Sequence, residues 1–220
     1  MKSTHIFKLA AVALAAAGLA GTASAALVTY TGADNAVSTA AAMTNSNAAA
    51  AAFDAATGAL SKITFESALP AGVSITGGTT TNDSGCGALC GFNITPAGSM
   101  FRNLFGGSMT ISFTSAIDSF GMYVTGLQTD VVPQETVTFS DGSSQVINVP
   151  TSTGGGGAFI GFTDIGKSIV SVTYNATNDI VSIDDIRYGN SAPAVPEPST
   201  YAMMLLGLGM AGFVARRQKR

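Results

Sequence analysis

Met109–Thr114 reads MTISFT and Phe120–Gln128 reads FGMYVTGLQ, two runs in which large apolar residues fall on every second position. In the first, Met109, Ile111 and Phe113 share one side while Thr110, Ser112 and Thr114 take the other; in the second, Phe120, Met122 and Val124 keep the same beat. Successive side chains of an extended chain point to opposite faces, so this period of two predicts half-buried antiparallel strands. The same alternation recurs at Lys62–Glu66 (KITFE), at Val137 with Phe139, at Ile147 with Val149, and at Val170 with Val172 and Tyr174. Ser140-Asp141-Gly142-Ser143, between TVTF and QVINV, predicts a hairpin, with Asp-Gly suited to the positive φ angles of a type I′ turn. About eight to ten short strands in one body predict a mainly β chain, an antiparallel β-sandwich of jelly-roll type.

One segment breaks the period. Ala33 to Ala59 is rich in alanine, with Thr44, Asn45 and Ser46 as candidate N-caps before AAAAAFDAATG and Gly58 as a stop. One short Ala-rich helix is expected there, since Ala is the best helix former and Gly commonly follows the last turn. Its apolar face is mostly methyl groups with Phe53, so it should pack on something larger.

The 220 residues are 46% hydrophobic and only 10% charged, and the cations sit mostly at the two ends. From Ala26 to Val195 the chain holds only Lys62, Arg102, Lys167 and Arg187 against twelve acidic residues, a net charge of −8. Such a body cannot neutralise many phosphates, which makes nucleic acid and anionic membrane surfaces poor partners, and no nucleic acid is expected. The single histidine, His5, lies in the leader, so His-based triads and His metal sites are excluded from the rest.

Lys2 and Lys8 give a basic start, Leu9–Ala20 is an apolar run, and Ala23-Ser24-Ala25 is a small-residue cleavage site. This is the layout of a secretory signal peptide cut by signal peptidase between Ala25 and Ala26, which places the remainder in an oxidising compartment. At the far end, Ser191–Thr200 (SAPAVPEPST) reads as a Pro-rich linker, Tyr201–Ala215 carries no charge, and Arg216, Arg217, Lys219 and Arg220 close the chain. At about 1.5 Å per residue the apolar run reaches roughly 22 Å, short of a hydrocarbon core of roughly 30 Å. It is a marginal span, held by its terminal cations on the cytoplasmic side.

VPEPST (Val195–Thr200), a short Gly-containing apolar helix and a terminal Arg cluster resemble the PEP-CTERM sorting signal of Gram-negative bacteria. The resemblance implies transient inner-membrane insertion through the C-terminal helix, cutting by an exosortase near Pro196-Glu197-Pro198, and release towards the cell surface or extracellular matrix. It also implies an association with exopolysaccharide and biofilm. The expected organisation is a signal peptide over 1–25, a sandwich body over 26–190, a linker with the PEP motif over 191–200, and a sorting helix with basic tail over 201–220. Within the body, FGMYVTGLQ, VTFSDGSS, FIGFTDIGKSIVSVTY and IDDIRYG (Ile183–Gly189) resemble the lectin-like sandwich of many PEP-CTERM proteins.

Gly161–Ser168 (GFTDIGKS) matches the P-loop pattern, but the IVSVTY after it is β-branched and alternating rather than helical, and Asp164 would repel phosphate, so it reads as a turn. Cys86 and Cys90 lack the further ligands of a zinc site and the spacing of a redox motif, so an exported disulfide pinning a loose Gly/Thr/Asn segment is expected. Asp184-Asp185 is the acidic pair of most interest: in a regular strand Asp184 shares a face with Ile180, Ile186 and Tyr188, and Asp185 with Val181, Ile183 and Arg187. One aspartate would then point inward, to be satisfied by backbone N–H groups, by a bulge, or by Ca²⁺ with carbonyl oxygens. No D-x-D-x-D-G loop supports calcium, so a structural role is expected, with no resident cofactor and a cation site as the alternative. No spacing selects a catalytic carboxylate pair from Glu66, Glu135 and the aspartates, so the chain is expected not to be an enzyme; a glycan-binding module is the alternative, a polysaccharide hydrolase the third.

Overall fold

The computed structural model describes residues 27–128, 134–148, 154–191, 205–211 and 216–217. The leader with its Ala25/Ala26 cleavage site, Pro196-Glu197-Pro198, Lys219 and Arg220 lie outside the described residues. The strands are β1 (Val28–Asp34), β2 (Ser61–Ile63), β3 (Val73–Thr76), β4 (Thr79–Thr81), β5 (Phe101–Ile117), β6 (Ser119–Leu127), β7 (Gln134–Phe139), β8 (Ser144–Asn148), β9 (Gly156–Thr163) and β10 (Ile169–Gly189); helix α1 is Thr44–Thr57.

All ten strands join in one hydrogen-bonded sheet with antiparallel pairings, and two long strands fold it into a sandwich. The first part of β10, Ile169–Asn175, lies between β7 and the second half of β5, giving a front layer ordered β8-β7-β10-β5-β3. The last part of β10 lies between β6 and the first half of β5, giving a back layer ordered β1-β9-β6-β10-β5-β4, with β2 beside the end of β10. Both long strands turn the corner together. Gly106 and Gly107 take φ of 69° and 71°, a region closed to most side chains, opposite register shifts in β10 between Asn175 and Ile180.

The alternation of MTISFT is realised as expected: Met109, Ile111 and Phe113 are buried between the layers with Val172, Tyr174, Ile160 and Ile183. Phe113 of the front layer meets Phe120 of the back at a ring distance of 6.4 Å and stacks on Tyr188 at 5.3 Å. The run FGMYVTGLQ departs from its expected half-burial. Every residue of β6 and of β9 is buried, because α1 and the segment around Cys86–Thr95 cover the outer face of the back layer. Phe53 of α1 packs on Phe159 at 5.7 Å and on Tyr30 at 5.6 Å. Gly121 and Gly161 leave the room for this, since a Cβ at either would stand 2.8 Å from the Phe159 ring.

Three local expectations change in detail. In β10 a register shift between Ile169 and Ser171 brings Ile169, not Val170, into the core with Val172 and Tyr174. The β7–β8 hairpin forms, but of its central residues only Gly142 has positive φ, 81°, and Phe139 N–H donates to Ser143 O while Gly142 N–H donates to Phe139 O. The turn is therefore a tight turn closed by a left-handed glycine, not type I′. The helix starts at Thr44, so Thr44, Asn45 and Ser46 belong to its first turn rather than capping it.

Candidate functional site

The cap that α1 lacks in its own sequence arrives from the end of β1. The Asp34 carboxylate accepts from Asn45 N–H at 3.0 Å, Ser46 N–H at 2.9 Å and the Ser46 hydroxyl at 2.7 Å. Burial works to raise its pKa, but these donors outweigh it and hold Asp34 below the ordinary carboxylate value. The same device recurs through the body. Glu66 Oε1 accepts from Ser99 and Met100 N–H, both at 2.6 Å, Asp118 from Ser191 N–H at 2.7 Å, Asp179 from Gln128 N–H at 3.0 Å, and Asp83 from Gly85 N–H at 2.8 Å. The acidity that looks like surface charge in the sequence is largely spent as acceptors for loop N–H groups.

Asp184 is the most deeply set of these acceptors, 1% exposed. Its Oδ2 accepts from Ile94 N–H at 2.9 Å, Thr95 N–H at 3.0 Å and the Thr95 hydroxyl at 3.1 Å, and its Oδ1 from Asp185 N–H at 2.7 Å. Burial nevertheless dominates and pushes its pKa up to about 6. The regular-strand alternation expected around it fails because Asp185 takes φ of 47° and the register against β6 slips between Asp184 and Arg187. This bulge keeps Ile183 and Ile186 in the core and turns Asp184, Asp185 and Arg187 together towards the covering layer.

Asp185 pairs with Arg187 at 3.1 Å and with Lys62 at 3.7 Å, and Arg187 reaches Asp54 of α1 at 2.9 Å. The Arg187 guanidinium also lies 5.4 Å from the ring centres of both Tyr123 and Phe159. Tyr123 donates its hydroxyl to Asn47 at 2.8 Å, and burial pushes its pKa up to about 12. The proposed cation ligands Asp184 and Asp185 thus face protein donors and cations, and among the described residues no three His, Cys, Asp or Glu side chains gather as a metal-binding group.

Cys86 and Cys90 form a disulfide with Cα atoms 5.4 Å apart, closing the short 3₁₀ turn Gly87–Cys90. The Cys90 carbonyl accepts from Asn103 Nδ2 and from the Ser182 hydroxyl, each at 3.2 Å, and Phe92 exchanges two hydrogen bonds with the Thr125 hydroxyl. The bridge therefore fastens the covering segment onto β5, β6 and β10. The P-loop match is strand, turn and strand: β9 ends at Thr163, Lys167 N–H bonds Asp164 O at 3.0 Å, and β10 begins at Ile169.

Among the described residues nothing covers the outer face of the front layer. In register across it run Ser74, Ser112, Ser171, Thr138 and Ser144, and beside them Thr76, Thr110, Thr173, Thr136 and Val146. All ten are exposed or half-exposed, and Thr110 and Thr173 share a hydrogen bond of 2.9 Å between their hydroxyls. In the sequence Thr110, Ser112 and Thr114 stand on the side away from the core; Ser/Thr at alternate positions in Ser74-Ile75-Thr76, Thr136-Val137-Thr138 and Ser171-Val172-Thr173 is the matching signal on three other strands, and β8 carries it only at Ser144.

Of the sorting tail, residues 205–211 and 216–217, which include Arg216 and Arg217, are described, and both stretches are helical and exposed. Among the described residues no helix is long and apolar enough to cross a membrane, so the expected membrane helix over Tyr201–Ala215 has only a short described part. Residues 194–220 match the PEP-CTERM protein-sorting motif, the mark of an exported protein. No curated protein is significantly similar to the chain. Among solved structures, a variant of a family 29 carbohydrate-binding module is 14% identical, over 64% of this chain and 98% of its own, with a TM-score of 0.40. The structural analysis of an exo-beta-agarase gives 12% identity over 61% of this chain and 25% of its own, with a TM-score of 0.40.

Proposed function

We propose that the chain is a non-enzymatic protein of the bacterial cell surface or extracellular matrix, exported, processed by an exosortase and associated there with exopolysaccharide. The sorting motif at residues 194–220 carries this reading. The folded body supports it: among the described residues Asp34, Glu66, Asp83, Asp118, Asp179 and Asp184 accept from backbone N–H groups and so hold loops and α1, as a scaffold requires. Calcium has no part in this reading. Intact-mass analysis of protein released from cells tests it, with the expected product starting at Ala26 and lacking Tyr201–Arg220. Released protein that still carries Arg220 would overturn the reading.

A further inference from the structure

We propose that the open face of the front layer, with Phe105 at its corner, is a docking surface for an extended neutral polysaccharide. The proposal rests on the surface-protein reading above and names the contact that reading requires. Of the two outer faces of the sandwich, the back one is covered by α1 and the disulfide-bonded segment, and among the described residues the front one has no cover. What it presents is unusual for so acidic a body. Its two in-register rows hold no charged residue, and nine of the ten positions are Ser or Thr.

That chemistry selects an occupant. Hydroxyls donate and accept equally well, so they match a partner that is itself a dense array of hydroxyls. A net charge of −8 over Ala26–Val195 repels anionic polymers, and Lys167, the cation nearest the β7–β8 turn, is already paired with Asp141 at 3.9 Å. The side chains are short and build no wall, which suits a chain lying flat rather than a single enclosed sugar. Neighbouring strands repeat at about 4.8 Å, close to the length of one sugar ring in an extended chain, so successive rings can meet successive strands.

An independent observation comes from the aromatic residues. Tyr123 and Tyr174 are buried and Tyr188 is stacked on Phe113, but Phe105 is 68% exposed, the one fully exposed aromatic side chain among the described residues. It stands on β5 opposite Ile180, on the back-layer side of the Gly106-Gly107 corner and five residues before Thr110, so it lies outside the two rows and would meet only a polymer that extends past them along β5. An exposed ring offers an apolar platform for the C–H face of a sugar.

Retention of the full chain on insoluble cellulose and mannan, against alginate as the anionic polymer, tests the proposal. Binding to the neutral polymers and not to alginate is expected. Phe105→Ala, which removes an exposed ring, and the paired Thr110→Val and Thr173→Val, which keep β-branching and remove hydroxyls, should each lower retention at least about fivefold. Melting temperature, followed by circular dichroism, should stay near that of the parent for Phe105→Ala, and Ala51→Glu on the exposed side of α1 should bind as the parent does. Retention unchanged in both the Phe105 and the paired threonine variants, preference for alginate, or a face occupied by a second copy and released only on dilution would overturn it. Protein that binds neutral polymer yet leaves cells with Arg220 attached would remove the sorting reading and spare this one; correct processing with no retention would do the reverse.

Discussion

Replacing Asp184 by Asn sets burial against hydrogen bonding at a single carboxylate. Burial pushes the pKa from an ordinary 3.8 to about 6 despite four donors aimed at its oxygens. A folded-state pKa above the unfolded one means that the folded chain takes up the proton more readily. The stabilising contribution is therefore complete below about pH 3.8 and is lost as pH rises through about 6. Two units at about 1.4 kcal/mol each make the ionised form cost about 3 kcal/mol at pH 7. Asn reproduces the neutral acid only in part: its oxygen can serve Ile94 and Thr95, but its amide nitrogen accepts nothing and leaves the Asp185 N–H without an acceptor, at a cost of about 1–3 kcal/mol. At pH 7 the removed buried charge and the unpaired N–H oppose each other, so Asp184→Asn should lie within about 2 kcal/mol of the parent, and the parent should gain on it by about 2.5 kcal/mol between pH 7 and pH 4. Asp184→Ala, which leaves the donors without any acceptor, should lose at least about 3 kcal/mol at either pH. Urea unfolding followed by circular dichroism across that range reads the difference directly. A variant that is several kcal/mol weaker at pH 7 and closes the gap on acidification would show that the donors outweigh burial, and the reasoning would fall. Calcium should shift the melting point of neither protein, since a cation that binds only the folded form must raise it.

Arg187→Ala should cost about 3–5 kcal/mol by urea unfolding, because it leaves Asp185 buried without its closest cation, whereas Asp54→Asn, at a half-exposed partner, should cost less than about 1 kcal/mol. Asp34→Ala should cost about 1–2 kcal/mol by removing the cap on α1. Its pH signature runs opposite to that of Asp184: the folded pKa is depressed, so the parent's advantage is present above the ordinary value of 3.8 and is lost as pH falls through the lower folded value.

The period of two found the strands because a half-buried strand must write its faces into alternate residues. Met109–Thr114 and Val137 with Phe139 obey it, and both lie in the layer with one open face. It misjudged FGMYVTGLQ because burial on both faces comes from α1 and the disulfide-bonded segment, partners distant in sequence that no local window contains. Bulges defeated it for a different reason. One extra residue at Asp185 reverses the facing of everything beyond it, and a positive φ at an aspartate leaves no compositional trace. The disulfide was legible from two cysteines in an exported chain, while the length of Gly106-Gly107's influence, a switch between layers, needed the pairing of β5 with β10 to become visible.

The charge pattern and the open face are two sides of one arrangement. A carboxylate satisfied by backbone N–H groups neither needs a metal nor attracts cationic partners strongly, so Asp34, Glu66, Asp118, Asp179 and Asp184 can hold loops and helix without fixing what the protein binds. These anchors gather on loops and on the covered side of the sandwich. The front rows, built from residues chosen for extended backbone and water contact, are left without charge. A fold that commits carboxylates to its own connections presents at the front a surface of hydroxyls, and selectivity there comes from the partner's own hydroxyls together with the net negative charge of the body, which turns anionic polymers away.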